Sequence, residues 1–145
     1  MPITEIVCGH PGVMDAVEIV FETHSPSAVP SSEQLTGVDL VFVPSLPWSL
    51  DAGGIPIYPD ARLRECDYGE LAGTPVAELE HQRHIEEPFP GGESYRDVVR
   101  RTEEFLEDLQ RIFPGRRVLL ISHPANRWAL DHLRTGRPLR ELVAT

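Results

Sequence analysis

The segment Arg117-Val118-Leu119-Leu120-Ile121-Ser122 constrains this chain more than any other. An apolar run this short, followed at once by His123-Pro124, fits a strand buried on both faces, and such strands belong to parallel sheets. Val38-Asp39-Leu40-Val41-Phe42-Val43 is a second run of the same kind. Further strand-prone stretches lie at 4–8, 17–22 and 55–58. Helical spacing is clearest over 93–112, where Tyr95, Val98, Val99, Thr102, Phe105, Leu106, Leu109 and Ile112 share one face. Arg96, Arg100, Glu103, Glu107 and Gln110 take the other face. A second helix is expected over 75–86, opening with Pro75 in a permitted first-turn position. A third is expected from Ala125 to Arg134, ending before Gly136. Strands alternating with helices predict an α/β fold, and 145 residues suit one domain spanning 1–145.

Charge narrows the range of partners. Thirteen Lys and Arg face 23 Asp and Glu, a net charge of −10, and such a surface repels polyphosphate backbones. Nucleic acid is therefore not an expected partner. No apolar run reaches the roughly 18 residues a membrane helix needs. The opening Met1-Pro2-Ile3-Thr4-Glu5 lacks a basic start and a long apolar stretch, so a cytoplasmic protein is expected. Cys8 and Cys66 are too few for a disulfide framework and read as reduced thiols. There is no phosphate-cradling glycine loop, no dinucleotide fingerprint and no serine nucleophile elbow, and no cofactor is implied. His81 and His84 stand three apart on the expected second helix, but no third ligand accompanies them. They read as surface histidines, and no metal is expected.

Three places carry candidate chemistry. His123 follows a buried strand, at the carboxyl edge where open parallel sheets bind ligands. Arg62 to Glu70 concentrates acids and bases around Leu63 and Gly69, and a partly desolvated carboxyl there could act as a general acid. Residue chemistry alone does not choose among Glu65, Asp67 and Glu70. Pro88-Phe89-Pro90-Gly91-Gly92-Glu93-Ser94 leads into the long helix. Its N–H groups offer a weak anion site that Glu93 opposes, so Ser94 reads first as a helix cap.

Together these pieces resemble the histidine phosphatase superfamily, in its phosphoglycerate-mutase-like branch. Leu63-Arg64-Glu65-Cys66-Asp67-Tyr68-Gly69-Glu70-Leu71-Ala72-Gly73 resembles the family's Leu-x-Glu-x-x-x-Gly-x-x-x-Gly segment. Pro90-Gly91-Gly92-Glu93-Ser94 resembles its Pro-Gly-Gly-Glu-Ser turn, and Val118 to His123 resembles the strand bearing its second histidine. The likeness covers roughly residues 55–145. It implies a three-layer α/β/α sandwich with a mostly parallel sheet, with Glu65 as proton donor and His123 holding the transferring phosphoryl group. It also implies a first-strand histidine as nucleophile, forming a phosphohistidine that water hydrolyses.

The first third departs from that pattern, because Arg-His-Gly is absent. Two histidines compete for the nucleophile's place. His24 ends Phe21-Glu22-Thr23-His24, which resembles a Phe-Glu-Thr-His form found in a sub-branch of the superfamily. His10 stands in Cys8-Gly9-His10-Pro11, at the usual distance from the N-terminus. If His24 serves, only 13 residues precede Val38 and the usual crossover helix is missing. If His10 serves, Met14 to Thr23 must be the helix, against the strand preference of Val17, Ile19, Val20 and Phe21. The balance leans to His24.

The resemblance also implies two phosphate-clamping arginines. The position before the histidine holds Thr23 or Gly9, and Pro44-Ser45-Leu46-Pro47-Trp48-Ser49 contains no arginine. Losing one such donor costs about 10²–10³ in rate. Arg127 is the candidate replacement, Trp48 would make the rim apolar, and Glu93 and Ser94 complete the candidate substrate-binding set. Three readings follow: a weak phosphomonoesterase, an acid–base enzyme (isomerase, dehydratase or cyclase) on an unphosphorylated metabolite, and a non-catalytic pseudophosphatase. A small-molecule substrate is expected, and a homodimer would cover apolar surface left by a shortened first third.

Overall fold

The computed structural model describes residues 4–7, 16–23, 33–45 and 52–143. Five strands form one sheet: β1 (Thr4–Val7), β2 (Glu18–Thr23), β3 (Leu40–Val43), β4 (Ile57–Pro59) and β5 (Arg117–Ser122), in the order β1-β2-β5-β3-β4. β1 runs antiparallel to β2, and every other pairing is parallel. The expected strands are all present, within two residues at each end.

Alternation along these strands builds two cores. Ile19, Val118 and Leu40 pair across β2, β5 and β3, as do Phe21, Leu120 and Phe42, and these six join one cluster. Val20, Leu119 and Val41 form the matching row of the other cluster. Central β5 is sealed on both sides, with Val118, Leu119 and Leu120 all at 0% exposure. That burial is why its sequence reads as a continuous apolar run.

Helix α1 (Tyr95–Ile112) packs Phe105 and Leu109 onto the first face, and α2 (Pro124–Thr135) adds Leu130. Among the described residues the opposite face is covered by Leu35, Ala52 and Ile55. A short α3 (Leu139–Leu142) buries Leu139 against α1 and α2. No described helix is long and apolar enough to cross a membrane. α1 starts in a capping box: the Ser94 hydroxyl accepts from the Asp97 N–H at 3.1 Å, and the Asp97 carboxylate accepts from the Ser94 N–H at 3.0 Å. α2 stops at Gly136, whose φ of +75° gives the left-handed turn a C-terminus favours.

Three expectations need correction. Residues 75–86 do not form a helix; short 3₁₀ turns at Val76–Glu78 and Arg83–Ile85 replace it. Leu79 and His81 are both buried, and residues two apart do not share a helix face. His81 and His84 are not at the surface, at 9% and 4% exposure. The His81 Nδ1 lies 2.6 Å from the Tyr95 hydroxyl, and the His84 ring stacks on Phe89 at 3.9 Å. Lastly, Ile112 is 55% exposed although it falls on the apolar face, because it borders an open cavity that it lines with Phe42, Tyr58 and Phe113.

Phe105 is the side chain that ties α1 to the sheet, 1% exposed and edge-on to Phe42 at 5.3 Å. Phe105→Ala is expected to cost about 3–5 kcal/mol of stability, read by urea denaturation, since the cavity cannot close against a paired sheet.

Candidate active site

The carboxyl ends of β2 and β5 stop at the same level, with Thr23 paired to Ser122. Ser122 is fully buried, and its hydroxyl donates to the Leu63 carbonyl at 2.6 Å. That bond ties the rim to the segment following β4, which carries Glu65. The next residue, His123, has extended backbone (φ −122°, ψ 163°) and serves as N-cap of α2, with Pro124 at the first helical position. Its carbonyl accepts from the Asn126 and Arg127 N–H groups at 3.0 and 3.2 Å, while its side chain remains partly exposed.

Glu65 reaches this helix start from the other side. Its Oε2 lies 4.0 Å from the His123 Nδ1. Its Oε1 accepts from the Cys66 N–H at 2.9 Å, and the carboxylate also takes the Ala125 N–H in the first turn of α2. Burial pushes its pKa above the ordinary carboxylate value, against the opposing pull of those two N–H groups and the Arg101 charge. The outcome is a carboxyl that keeps its proton to higher pH, as a general acid requires.

The loop bearing Glu65 is held by close backbone contact with the turn before α1. Glu70 N–H donates to the Pro90 carbonyl at 2.8 Å, and Glu93 N–H donates to the Asp67 carbonyl at 2.8 Å. A Cβ at Gly69 would lie 2.1 Å from the Pro90 oxygen, and one at Gly92 would lie 2.2 Å from the Asp67 oxygen. Only residues without side chains permit this approach.

Arg101 completes the support. It is 8% exposed, and its guanidinium meets the carbonyls of Arg62, Arg64 and Glu65 and both carboxylate oxygens of Glu93. Sequence reasoning missed it, although it stands three residues after Val98 and four before Phe105, inside the buried arc of α1. An arginine within an apolar helix face was the available signal.

The remaining candidates divide. Glu93 and Ser94 belong to the support: Glu93 pairs with Arg101 and accepts from the Asp67 N–H at 3.0 Å, and Ser94 caps α1. Both side chains thus have partners within the fold. Arg127 lies over the Phe21 ring at 5.6 Å and donates from Nε to Asp131 at 3.0 Å. His10, His24 and Trp48 lie outside the described residues. Cys66 is 3% exposed, and burial together with the Glu93 and Glu65 carboxylates pushes its thiol up to about 12, so it is no nucleophile. Among the described residues no group of three His, Cys, Asp or Glu is arranged to hold a metal ion.

A mostly parallel sheet with an imidazole and a carboxyl brought near each other at its carboxyl rim defines the class as α/β. Comparison with known proteins narrows this. Residues 49–144 match the sequence profile of the histidine phosphatase superfamily (branch 1). A 2,3-bisphosphoglycerate-dependent phosphoglycerate mutase of Nitrobacter winogradskyi is 35% identical over 86 residues, 51% of this chain and 42% of that protein. A phosphoserine phosphatase 1 of Hydrogenobacter thermophilus is 30% identical over 83 residues, 50% of this chain and 39% of that protein. The solved structure of YhfR from Bacillus stearothermophilus superposes with a TM-score of 0.60 at 24% identity, covering 74% of this chain and 62% of that one. The chain belongs to the histidine phosphatase superfamily, and its phosphoglycerate-mutase-like fold follows from the sheet and from that superposition. The matched stretches amount to about two-fifths of the two curated relatives' lengths.

Two predictions follow from the geometry. Gly92→Ala is expected to lose about 1–3 kcal/mol of stability in urea melts, because the Asp67 carbonyl must move. Glu65→Gln tests the raised carboxyl. A folded-state pKa above the unfolded one gives stability that is full below the unfolded value and lost as pH rises through the folded value. A neutral glutamine escapes that loss. The difference in Tm between Glu65→Gln and the parent chain should therefore move in the variant's favour from about pH 4 to about pH 8.

Proposed function

We propose that the chain hydrolyses small phosphomonoesters slowly, through a phosphohistidine at His24, with Glu65 as proton donor and His123 holding the phosphoryl group. The observation that carries this reading is the Glu65 carboxyl 4.0 Å from His123 at the rim where β2 and β5 end together. His24 attacks phosphorus, the ester P–O bond breaks, and Glu65 gives its proton to the leaving oxygen. Water then attacks the phosphohistidine and returns a proton to Glu65, and inorganic phosphate leaves.

Strand direction supports His24 over His10. Residues Glu18–Thr23 are strand, so the helix that the His10 alternative needs over 14–23 does not form. Val7, the last residue of antiparallel β1, pairs with Glu18 at the end of β2 opposite Thr23. Three residues from Val7 to His10 reach about 10 Å at full extension, whereas five steps of strand from Glu18 to Thr23 span about 17 Å. Thr23, which His24 follows in sequence, ends β2 level with Ser122 of β5.

Weak activity is proposed because, among the described residues, the candidate replacement Arg127 is paired with Asp131 and the arginines flanking Glu65 are engaged as well. Arg62 bonds Asp60 and Asp108, Arg64 bonds Ala61 and Glu93, and Arg101 is enclosed. The same observation favours a second reading, in which Glu65 and the histidines perform isomerisation, dehydration or cyclisation on an unphosphorylated metabolite.

Incubation with an aryl and an alkyl phosphate, followed by trapping of labelled phosphohistidine, separates these readings. Hydrolysis and label are expected in the parent chain and in His10→Ala, with both lost in His24→Ala. Glu65→Gln should slow the alkyl ester by about 10²–10⁴ and the aryl ester less, because an aryl oxide leaves without a proton. Absence of turnover and of label in the parent chain would leave the second reading standing.

A further inference from the structure

We propose that Arg101 is a positioning residue for Glu65, fixing the backbone that presents the carboxyl to the start of α2; this rests on Glu65 being the proton donor. A guanidinium carries five N–H donors in a rigid plane. Here all five are matched. Nη1 donates to the Arg62 and Arg64 carbonyls at 2.6 and 2.8 Å. Nη2 donates to the Glu65 carbonyl at 3.1 Å and to Glu93 Oε1 at 3.0 Å, and Nε donates to Glu93 Oε2 at 3.0 Å.

Three of the acceptors come from four consecutive residues ending at the acid itself. Arg64 has extended backbone (φ −67°, ψ 157°), so this stretch turns its carbonyls toward a side chain and not into a helix. Holding the Glu65 carbonyl fixes the residue's main chain and leaves the carboxyl only its rotamers. Those are then narrowed by the Cys66 and Ala125 N–H groups. Filling the buried arc of α1 would require only an apolar residue. Gathering three carbonyls at set angles requires a planar fork, which lysine cannot reproduce although it keeps the charge.

Arg101→Lys in the full chain therefore separates charge from geometry. Amide hydrogen exchange is read at Cys66 and Ala125, the two N–H groups on the Glu65 carboxylate, with Leu119 and Leu120 of β5 as reference. Exchange at the first pair should accelerate about tenfold or more, with the β5 amides unchanged within about twofold. Unchanged protection at Cys66 and Ala125 overturns the proposal. So does equal acceleration at all four sites, which would mark a general loss of stability. If Arg101→Lys does not fold, Glu93→Gln, which weakens the hold on two of the five donors, should accelerate the same two amides; no change there overturns the proposal. On an alkyl phosphate, kcat of Arg101→Lys should fall about 10–100-fold with KM within about threefold. A parent chain without turnover defeats the functional reading and leaves the exchange result to decide Arg101. A parent chain with turnover that Arg101→Lys matches defeats the positioning role alone.

Discussion

A guanidinium enclosed between α1 and the loop after β4 organises most of what surrounds Glu65. Burying the Arg101 charge is costly, and its pairing with Glu93 and three carbonyls offsets that cost. Removing one member of such a pair typically costs about 3–5 kcal/mol, because the other is left charged and dry. The same pair joins two segments distant in sequence. Glu93 belongs to the turn that launches α1, while the carbonyls belong to the acid's own loop. The turn before α1 and the loop of the acid are therefore joined by one contact.

Around that contact the rim is assembled from strand ends. Parallel strands send their carboxyl ends the same way, so the exits of β2, β4 and β5 lie on one side of the sheet. Ser122 ties two of those exits together through the Leu63 carbonyl. Gly69 and Gly92 allow the loop and the turn to touch backbone to backbone, where any side chain would collide. The loop and the turn thus meet through main-chain contacts, and this explains the glycines at positions 69 and 92.

Legibility in the sequence follows which force dominates locally. β5, α1 and α2 are read correctly because burial imposes a period or an unbroken apolar run. Glu65 is singled out only through motif resemblance, since charge spacing alone left Asp67 and Glu70 as equals, whereas His123 is singled out by its place after a buried strand. The segment 75–86 is misread because its helix-like composition is overruled by tertiary anchoring of Leu79, His81, His84 and Ile85. Arg101 is missed for a related reason. Hydrophobic spacing counts an arginine as solvent-facing, whereas this one is buried by the acceptors that meet it. The choice between His24 and His10 turns on strand direction, which no local pattern encodes.

Cations near Glu65 bear on its protonation as well as on the phosphate binding proposed above. An arginine within about 4–6 Å of a carboxyl lowers its pKa by about 1–3 units, so each clamp residue near the acid would work against its holding a proton. In this chain Arg101 exerts such a pull from behind the loop, and burial still prevails. A site with fewer cations gains an acid that stays protonated to higher pH and gives up affinity for dianions. Those two consequences have one cause, and they pull toward different substrates: weak hydrolysis of phosphate esters on one side, proton transfer to uncharged oxygen on the other. The groups that would tip the balance stand at the ends of β2 and β3, where Thr23 precedes His24 and Ser45 leads toward Trp48.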